Sequence, residues 1–173
     1  IKVFAASNRR LFEKHAPNLQ SLIGRQGLNH LIADAITAKL TVVNADPYEK
    51  GLRRVLNFGH TTGHAVEAVA GWSHGKSTAF GMLVAMMLSQ QYSSLLQGEH
   101  NQMWSAVTAL YDRFDVAPLD SELLWEKIKH DKKRSGGQIN FVLLPRCGTH
   151  QIVPINYAQF RCSLAETRER ISR

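Results

Sequence analysis

The segment "STAFGMLVAMMLSQQYSSLL", Ser77 to Leu96, carries no charged side chain and is apolar on nearly every face of a helix. A helix with a polar face can lie on a surface, whereas one apolar all round has to be surrounded by other elements. Its unbroken apolar stretch falls short of the roughly 18 to 20 residues needed to cross a bilayer. The segment is therefore expected to be the central helix of a helical domain, with the rest of the chain folded around it.

The flanking pattern supplies the helices that would do this. From Leu11 to Leu40 apolar residues recur at helical intervals (Leu19, Leu22, Ile23, then Leu28, Leu31, Ile32, Ala35, Ile36), and Gly24 and Gly27 divide them into two helices. "LTVVNADP" is short and β-branched and fits either a strand or a continuation of the second helix through Val43 that stops before Pro47, and we read it as helix. Gly59 to Ala70 reads as a helix, with "GWSHG" as a tight connection into the central helix. Amphipathic helices are expected over Gln102 to Phe114 and Asp120 to Lys129, and a short one over Ser163 to Ile171. Between the last two the period changes from helical to alternating, so "QINFVLLP" and "THQIVPI" are expected to form a hairpin. The fold class is mainly α, a helical domain with one small β-hairpin.

At 173 residues the chain is one domain in size. It starts at Ile1 with no signal-peptide pattern, and we expect it to begin inside a longer protein. Cys147 and Cys162 are too few for a disulfide framework or a zinc ribbon and suit a reducing cytoplasm. The net charge of +7 comes from scattered groups ("NRR", "LRR", "KIKHDKKR", "ETRERISR") without interleaved aromatics. That pattern argues against nucleic acid and for a small phosphorylated or carboxylated anion as ligand. No membrane partner is expected.

Chemistry concentrates in "LNFGHTTGHAVEAVAGWSHGK". His60 and His64 are four apart, so on a helix they share a face, and Glu67 joins it. Two imidazoles at this spacing can share a zinc ion or divide the work between ligand and acid–base group; the spacing does not decide between these and a purely structural pair. The metalloprotease pattern H-E-x-x-H fails at Thr61, where its general base would stand. His74, just beyond a break in the helical pattern and before the next helix, is placed to bring a third imidazole to the first two, while Gly59 and Gly63 leave room for a ligand or another backbone.

These residues resemble the 3-dehydroquinate synthases. "GLRRVLNFGHTTGHAVEA…HGKSTAFGM" is similar to the family pattern G-L-R-x-x-L-N-F-G-H-T-x-G-H-A-x-E followed by H-G-E-x-V-A-x-G-M. "IKVFAASNRRLFE" resembles the segment starting at the end of E-V-I-K, "AKLTVVNADPYEKGLR" resembles K-A-x-V-V-x-x-D-E-x-E-x-G-L-R, and "DKKRSGGQINFVLL" resembles D-K-K-x-x-x-G-x-x-x-F-V-L-L. The matches keep this order over most of the chain.

The resemblance implies a lyase of the shikimate pathway that converts a seven-carbon keto-acid phosphate into 3-dehydroquinate and phosphate. It implies catalytic NAD and one divalent metal, zinc or cobalt, and a homodimer when full length. Residues 1–173 would be the C-terminal metal- and substrate-binding domain, with the NAD-binding domain absent from this chain and the chain inactive alone. By position, His60 and His74 would be metal ligands and His64 a substrate-binding or proton-transfer group. Lys2, Lys39, Arg53, Asn57 and one of Lys132 and Lys133 would hold the substrate's anionic and hydroxyl groups. The family's third ligand, the glutamate of E-V-I-K, would fall upstream of Ile1. The sequence departs from the pattern at Lys76, in place of the Glu of H-G-E, at Pro47, in place of an acid, and in a shorter connection between His64 and His74. Another sugar-phosphate cyclase (valiolone, aminodehydroquinate or deoxy-scyllo-inosose type) or a non-catalytic helical binding module are the competing expectations.

Overall fold

In the computed structural model the described residues are 1–22, 27–111, 113–131 and 137–173. The expected central helix is there: α6 runs from His74 to Tyr92, and every side chain from Ser77 to Ser89 is buried. It starts three residues earlier than the apolar pattern indicated, because Ser73 caps it through a side chain that accepts from the Lys76 amide. His74 is thereby the first residue of α6 rather than part of a loop.

The helix α5, His60–Ala70, lies directly against α6. Glycines explain how closely. A Cβ on Gly81 of α6 would come 2.0 Å from the Gly59 carbonyl oxygen and 2.7 Å from the Gly63 nitrogen, and one on Gly63 would come 3.0 Å from Cα of Thr78. Gly59, at φ 79°, takes a left-handed conformation to open α5 at that contact. The space cleared by Gly59 and Gly63 thus admits a backbone.

The N-terminal part is more broken than the expected pair of helices. A helix not foreseen, α1 (Lys2–Ser7), is followed by α2 (Arg9–His15), a 3-10 turn at Ala16–Asn18 holding Pro17, α3 (Leu19–Leu22) and α4 (Gly27–Ala45). Asn8 separates α1 from α2 by capping the second with its side chain. Gly24 and Ile23 lie outside the described residues. As read from "LTVVNADP", α4 continues through Val43 and stops before Pro47.

Beyond α6, α7 spans Gln97–Thr108, five residues upstream of the expected start and six short of the expected end. Its first turn is too polar to show an apolar stripe, and its end comes where Thr108 turns its hydroxyl back to the Trp104 carbonyl. Within it His100 is fully buried, stacked on Trp104 at 5.4 Å. Helix α8 covers Ser121–Asp131, close to expectation. Strands β1 (Gln138–Leu143) and β2 (Gln151–Asn156) pair antiparallel with Phe141 opposite Val153. The last helix, α9 (Tyr157–Ser172), starts six residues earlier than expected because Asn156 and Gln159 form a reciprocal capping box.

Contacts remote in sequence draw these parts together. The Leu144 amide donates to Ser89 Oγ of α6 at 3.0 Å, and the Gly148 amide donates to the Ala5 carbonyl of α1 at 2.7 Å. On α9, Arg170 lies 4.5 Å above the Trp104 ring and donates to Asn101. The two cysteines are unlinked, Cys147 buried and Cys162 exposed. Among the described residues no helix is long and apolar enough to cross a membrane.

Candidate functional site

Where α5 and α6 begin, three imidazoles meet. The rings of His60 and His64 are 5.1 Å apart, those of His60 and His74 5.4 Å, and those of His64 and His74 5.9 Å. One helical turn brings the first two together, and the cap at Ser73 brings the third. The near-equal separations do not set His64 apart from the other two.

Lys2 enters this corner from α1. Its Nζ donates to the Leu56 carbonyl at 2.6 Å and lies 3.2 Å from Nδ1 of His60. Burial, with Lys39 nearby, lowers the Lys2 pKa to about 8. Burial also lowers the His60 pKa to about 4, helped by Lys2 and the two neighbouring imidazoles. His60 is accordingly neutral near pH 7, the form in which a ring nitrogen can take a hydrogen bond or a metal ion. His74 is exposed, and its Nδ1 lies 3.0 Å from Glu67 Oε2. Glu67 thus serves His74 rather than the ring pair whose face the spacing gave it. A carboxylate on one imidazole nitrogen orients the ring and leaves Nε2 for a ligand, the usual support of a metal-binding histidine.

The three imidazoles, with His60 neutral and His74 braced by Glu67, are of the donor type a divalent metal takes. The set is not self-sufficient: among the described residues no group of three His, Cys, Asp or Glu side chains is arranged to hold a metal ion.

A second cluster precedes the histidines in sequence. The Asp46 carboxylate accepts from the amides of Lys50, Gly51 and Arg53 at 2.7 to 3.0 Å, and these bonds hold its pKa below the usual carboxylate range. They shape the exposed loop into the 3-10 turn Leu52–Asn57. On that turn Arg53 donates to the Pro47 carbonyl at 2.8 Å, and Asn57 donates to Glu49 at 2.6 Å. Lys39 is exposed on α4, near enough to Lys2 for repulsion to contribute to the lowered pKa. Lys132 and Lys133 lie outside the described residues.

Glu49 was not singled out in the sequence. It is one of two non-glycine residues with positive φ, at 54°, among the described residues. Such conformations gather at binding sites. Its signal was available, since it falls on the second acid of the D-E-x-E-x-G-L-R pattern. Lys76, the chief departure from that pattern, places its ammonium 4.8 Å over the Trp72 ring and 6.0 Å from Phe114.

Residues 1–134 match the 3-dehydroquinate synthase C-terminal family, more than three quarters of the chain. The chain belongs to this family. Its relatives include the 3-dehydroquinate synthases of Leptospira interrogans and Bacillus mycoides, each 39% identical over 133 residues and 75% of this chain. The chain spans only 37% and 36% of those two proteins. Similar solved structures are ValA, a 2-epi-5-epi-valiolone synthase from Streptomyces hygroscopicus with NAD+ and Zn2+ bound, and a 2-deoxy-scyllo-inosose synthase complexed with carbaglucose-6-phosphate, NAD+ and Co2+. The first is 20% identical with a TM-score of 0.82, covering 98% of this chain and 49% of ValA; the second is 23% identical with a TM-score of 0.69, covering 80% and 41%. At those identities they show the fold, which for ValA extends past residue 134 to nearly the whole chain. The helical class with one hairpin is the fold of this family's C-terminal half.

Proposed function

We propose that this chain is the metal- and substrate-binding half of a 3-dehydroquinate synthase, the shikimate-pathway lyase that turns 3-deoxy-D-arabino-heptulosonate 7-phosphate into 3-dehydroquinate and phosphate. The observation that carries this reading is the meeting of His60, His64 and His74 beside Lys2 in a chain of this family. His60 and His74 would hold a divalent metal, zinc or cobalt, with a further ligand from the longer protein; when bound, it supplies Lewis acidity toward substrate oxygens. Catalytic NAD would be held by the part of the protein outside this chain.

The chain's own residues supply the rest. His60 offers a neutral nitrogen, and Glu67 fixes the His74 ring. His64, exposed at the rim, is placed to exchange protons with a bound ligand. Lys2, with its lowered pKa, supplies an ammonium that can shed its proton near neutral pH, and with Lys39 it sets a positive potential that draws an anion into the corner. Arg53 and Asn57 are donors that must exchange Pro47 and Glu49 for substrate, and a fork such as Arg53 matches carboxylate or phosphate. Lys132 or Lys133 completes the anion-binding set.

Phosphate release by the full-length enzyme, assayed with NAD and zinc, tests the reading: heptulosonate phosphate should be consumed and both additions required. The isolated chain should be inactive. No phosphate release from that substrate by the loaded enzyme would refute it. A second reading, another sugar-phosphate cyclase, is favoured by Lys76 standing where the pattern has an acid. Faster turnover of a sugar phosphate lacking the carboxylate would select it.

A further inference from the structure

Beside the histidine corner lies a cleft of about 280 Å³ whose wall includes Lys2, His60, His74, Gly75 and Tyr111. Tyr111 comes from the segment after α7, which carried no motif. Its ring packs 5.5 Å from that of Phe114, Phe114 lies 5.9 Å from Trp72, and the Lys76 ammonium sits over Trp72. The result is an aromatic wall, with Tyr111 at its cleft end. A Cβ on Gly75 would lie 3.0 Å from the Tyr111 hydroxyl, so the hydroxyl lies against the residue that follows His74.

The ring's packing against Phe114 would be served equally by phenylalanine. The hydroxyl is what packing leaves unexplained: it makes no hydrogen bond to the described residues, although it is half-buried. The hydroxyl is not among the fully buried unpartnered side-chain atoms, so water reaches it at the cleft, and a ligand oxygen can take that water's place. Burial raises its pKa, so it stays a neutral donor at working pH. The Lys2 ammonium beside the same cleft makes an anionic or hydroxyl oxygen the fitting acceptor.

We propose that Tyr111 is a substrate-contacting specificity residue, whose phenol donates a hydrogen bond to an oxygen of the sugar-acid phosphate bound next to His74. The assignment rests on the cyclase reading of the site.

The test is Tyr111→Phe in the full-length enzyme with NAD and zinc. One lost bond to a charged or strongly polar oxygen should raise KM for heptulosonate phosphate about tenfold. It should leave kcat within about threefold and leave zinc affinity and melting temperature unchanged. Gly75→Ala, which crowds the hydroxyl without removing it, should raise KM by a smaller factor. A KM for Tyr111→Phe within about twofold of the parent overturns the proposal, as does an equal fall in kcat and zinc affinity, which would mark a structural residue. If the parent turns over no heptulosonate phosphate, the proposed function has failed; the same KM comparison, made on whichever sugar phosphate it does turn over, then decides Tyr111.

Discussion

The two halves of the candidate site are built on opposite principles. The histidine corner is set by backbone: α5 and α6 touch through Gly59, Gly63 and Gly81, the buried length of α6 fixes both, and the rings take their places from helix geometry. The segment 46–57, to which we assign anion binding by proposal, is held by polar bonds at the surface, with three amides on Asp46, Arg53 on Pro47 and Asn57 on Glu49. A metal site needs ligands fixed before the ion arrives, and close packing achieves that. A substrate clamp has to exchange its resting partners for the ligand, and surface hydrogen bonds of modest net strength allow it. Damage to the first should abolish the site, and damage to the second should weaken it.

The largest effect is therefore expected from Gly81→Ala. One methyl group would meet the Gly59 carbonyl oxygen at 2.0 Å, and backbone cannot swing aside as a side chain can. A loss of about 3 kcal/mol or more is expected, read by urea unfolding of the chain; a loss below about 1 kcal/mol would show that the helices are not in backbone contact. Next comes the metal. His74→Ala in the full-length enzyme should weaken zinc binding by about a hundredfold or more, and Glu67→Gln, which keeps the shape but weakens the ring's support, by about tenfold. Equal effects of the two would mean that Glu67 binds the metal itself.

Asp46→Asn should be milder. It removes the charge and one of two acceptor oxygens, one of which takes the Lys50 amide and the other those of Gly51 and Arg53, all in an exposed loop, so the melting temperature should hardly move while KM rises several-fold. A large fall in melting temperature would break the comparison, making the loop a structural element.

Acid should reverse the order of robustness. Burial, with Arg170 beside it, lowers the pKa of His100 in the scaffold from 6.5 to about 4. The unfolded chain then binds more protons than the folded one across that window, so stability is full above 6.5 and falls as the pH drops toward 4. The depressed Asp46 behaves differently: its contribution persists down to the usual carboxylate range and is lost only as pH falls through its lowered pKa. The melting temperature of the metal-free chain should fall between these limits, and His100→Gln should flatten the slope. An unchanged slope would acquit His100.

The backbone-built half was the more legible in sequence. An apolar run without charge announced α6, the period change announced the hairpin, and the spacing of His60, His64 and His74 announced the corner. What stayed hidden was set by single polar bonds rather than by periodicity. The Ser73 cap moved the start of α6 onto His74, the Asn156–Gln159 box lengthened α9, and Asn8 split α1 from α2. The pairing of Glu67 with His74 rather than with the other histidines needed the turn between helices to be known. Tyr111 had no signal at all, since its place depends on Phe114 and Gly75 meeting it in space.

The smallest effect is expected from Lys76→Met. The ammonium rests on Trp72, so its loss removes a cation–π contact of about 0.5 to 1 kcal/mol and little else. Zinc affinity should stay within about threefold of the parent. A larger gain in affinity would show that the charge acts on the metal despite its seat on the ring.

The bond from the Gly148 amide to the Ala5 carbonyl has a consequence in time as well as in space. Lys2 reaches His60 from a six-residue helix, too short to hold its shape unaided. What holds that helix includes the turn between β1 and β2, which leaves the ribosome more than a hundred residues later. A nascent chain that has already emerged past all three histidines has α2, α4 and the turn Leu52–Asn57 to pack against α1, yet still lacks this tie. The last bond on α1 is thus made by residues that the ribosome delivers after every imidazole of the corner, and the helix carrying Lys2 gains its final tie only then.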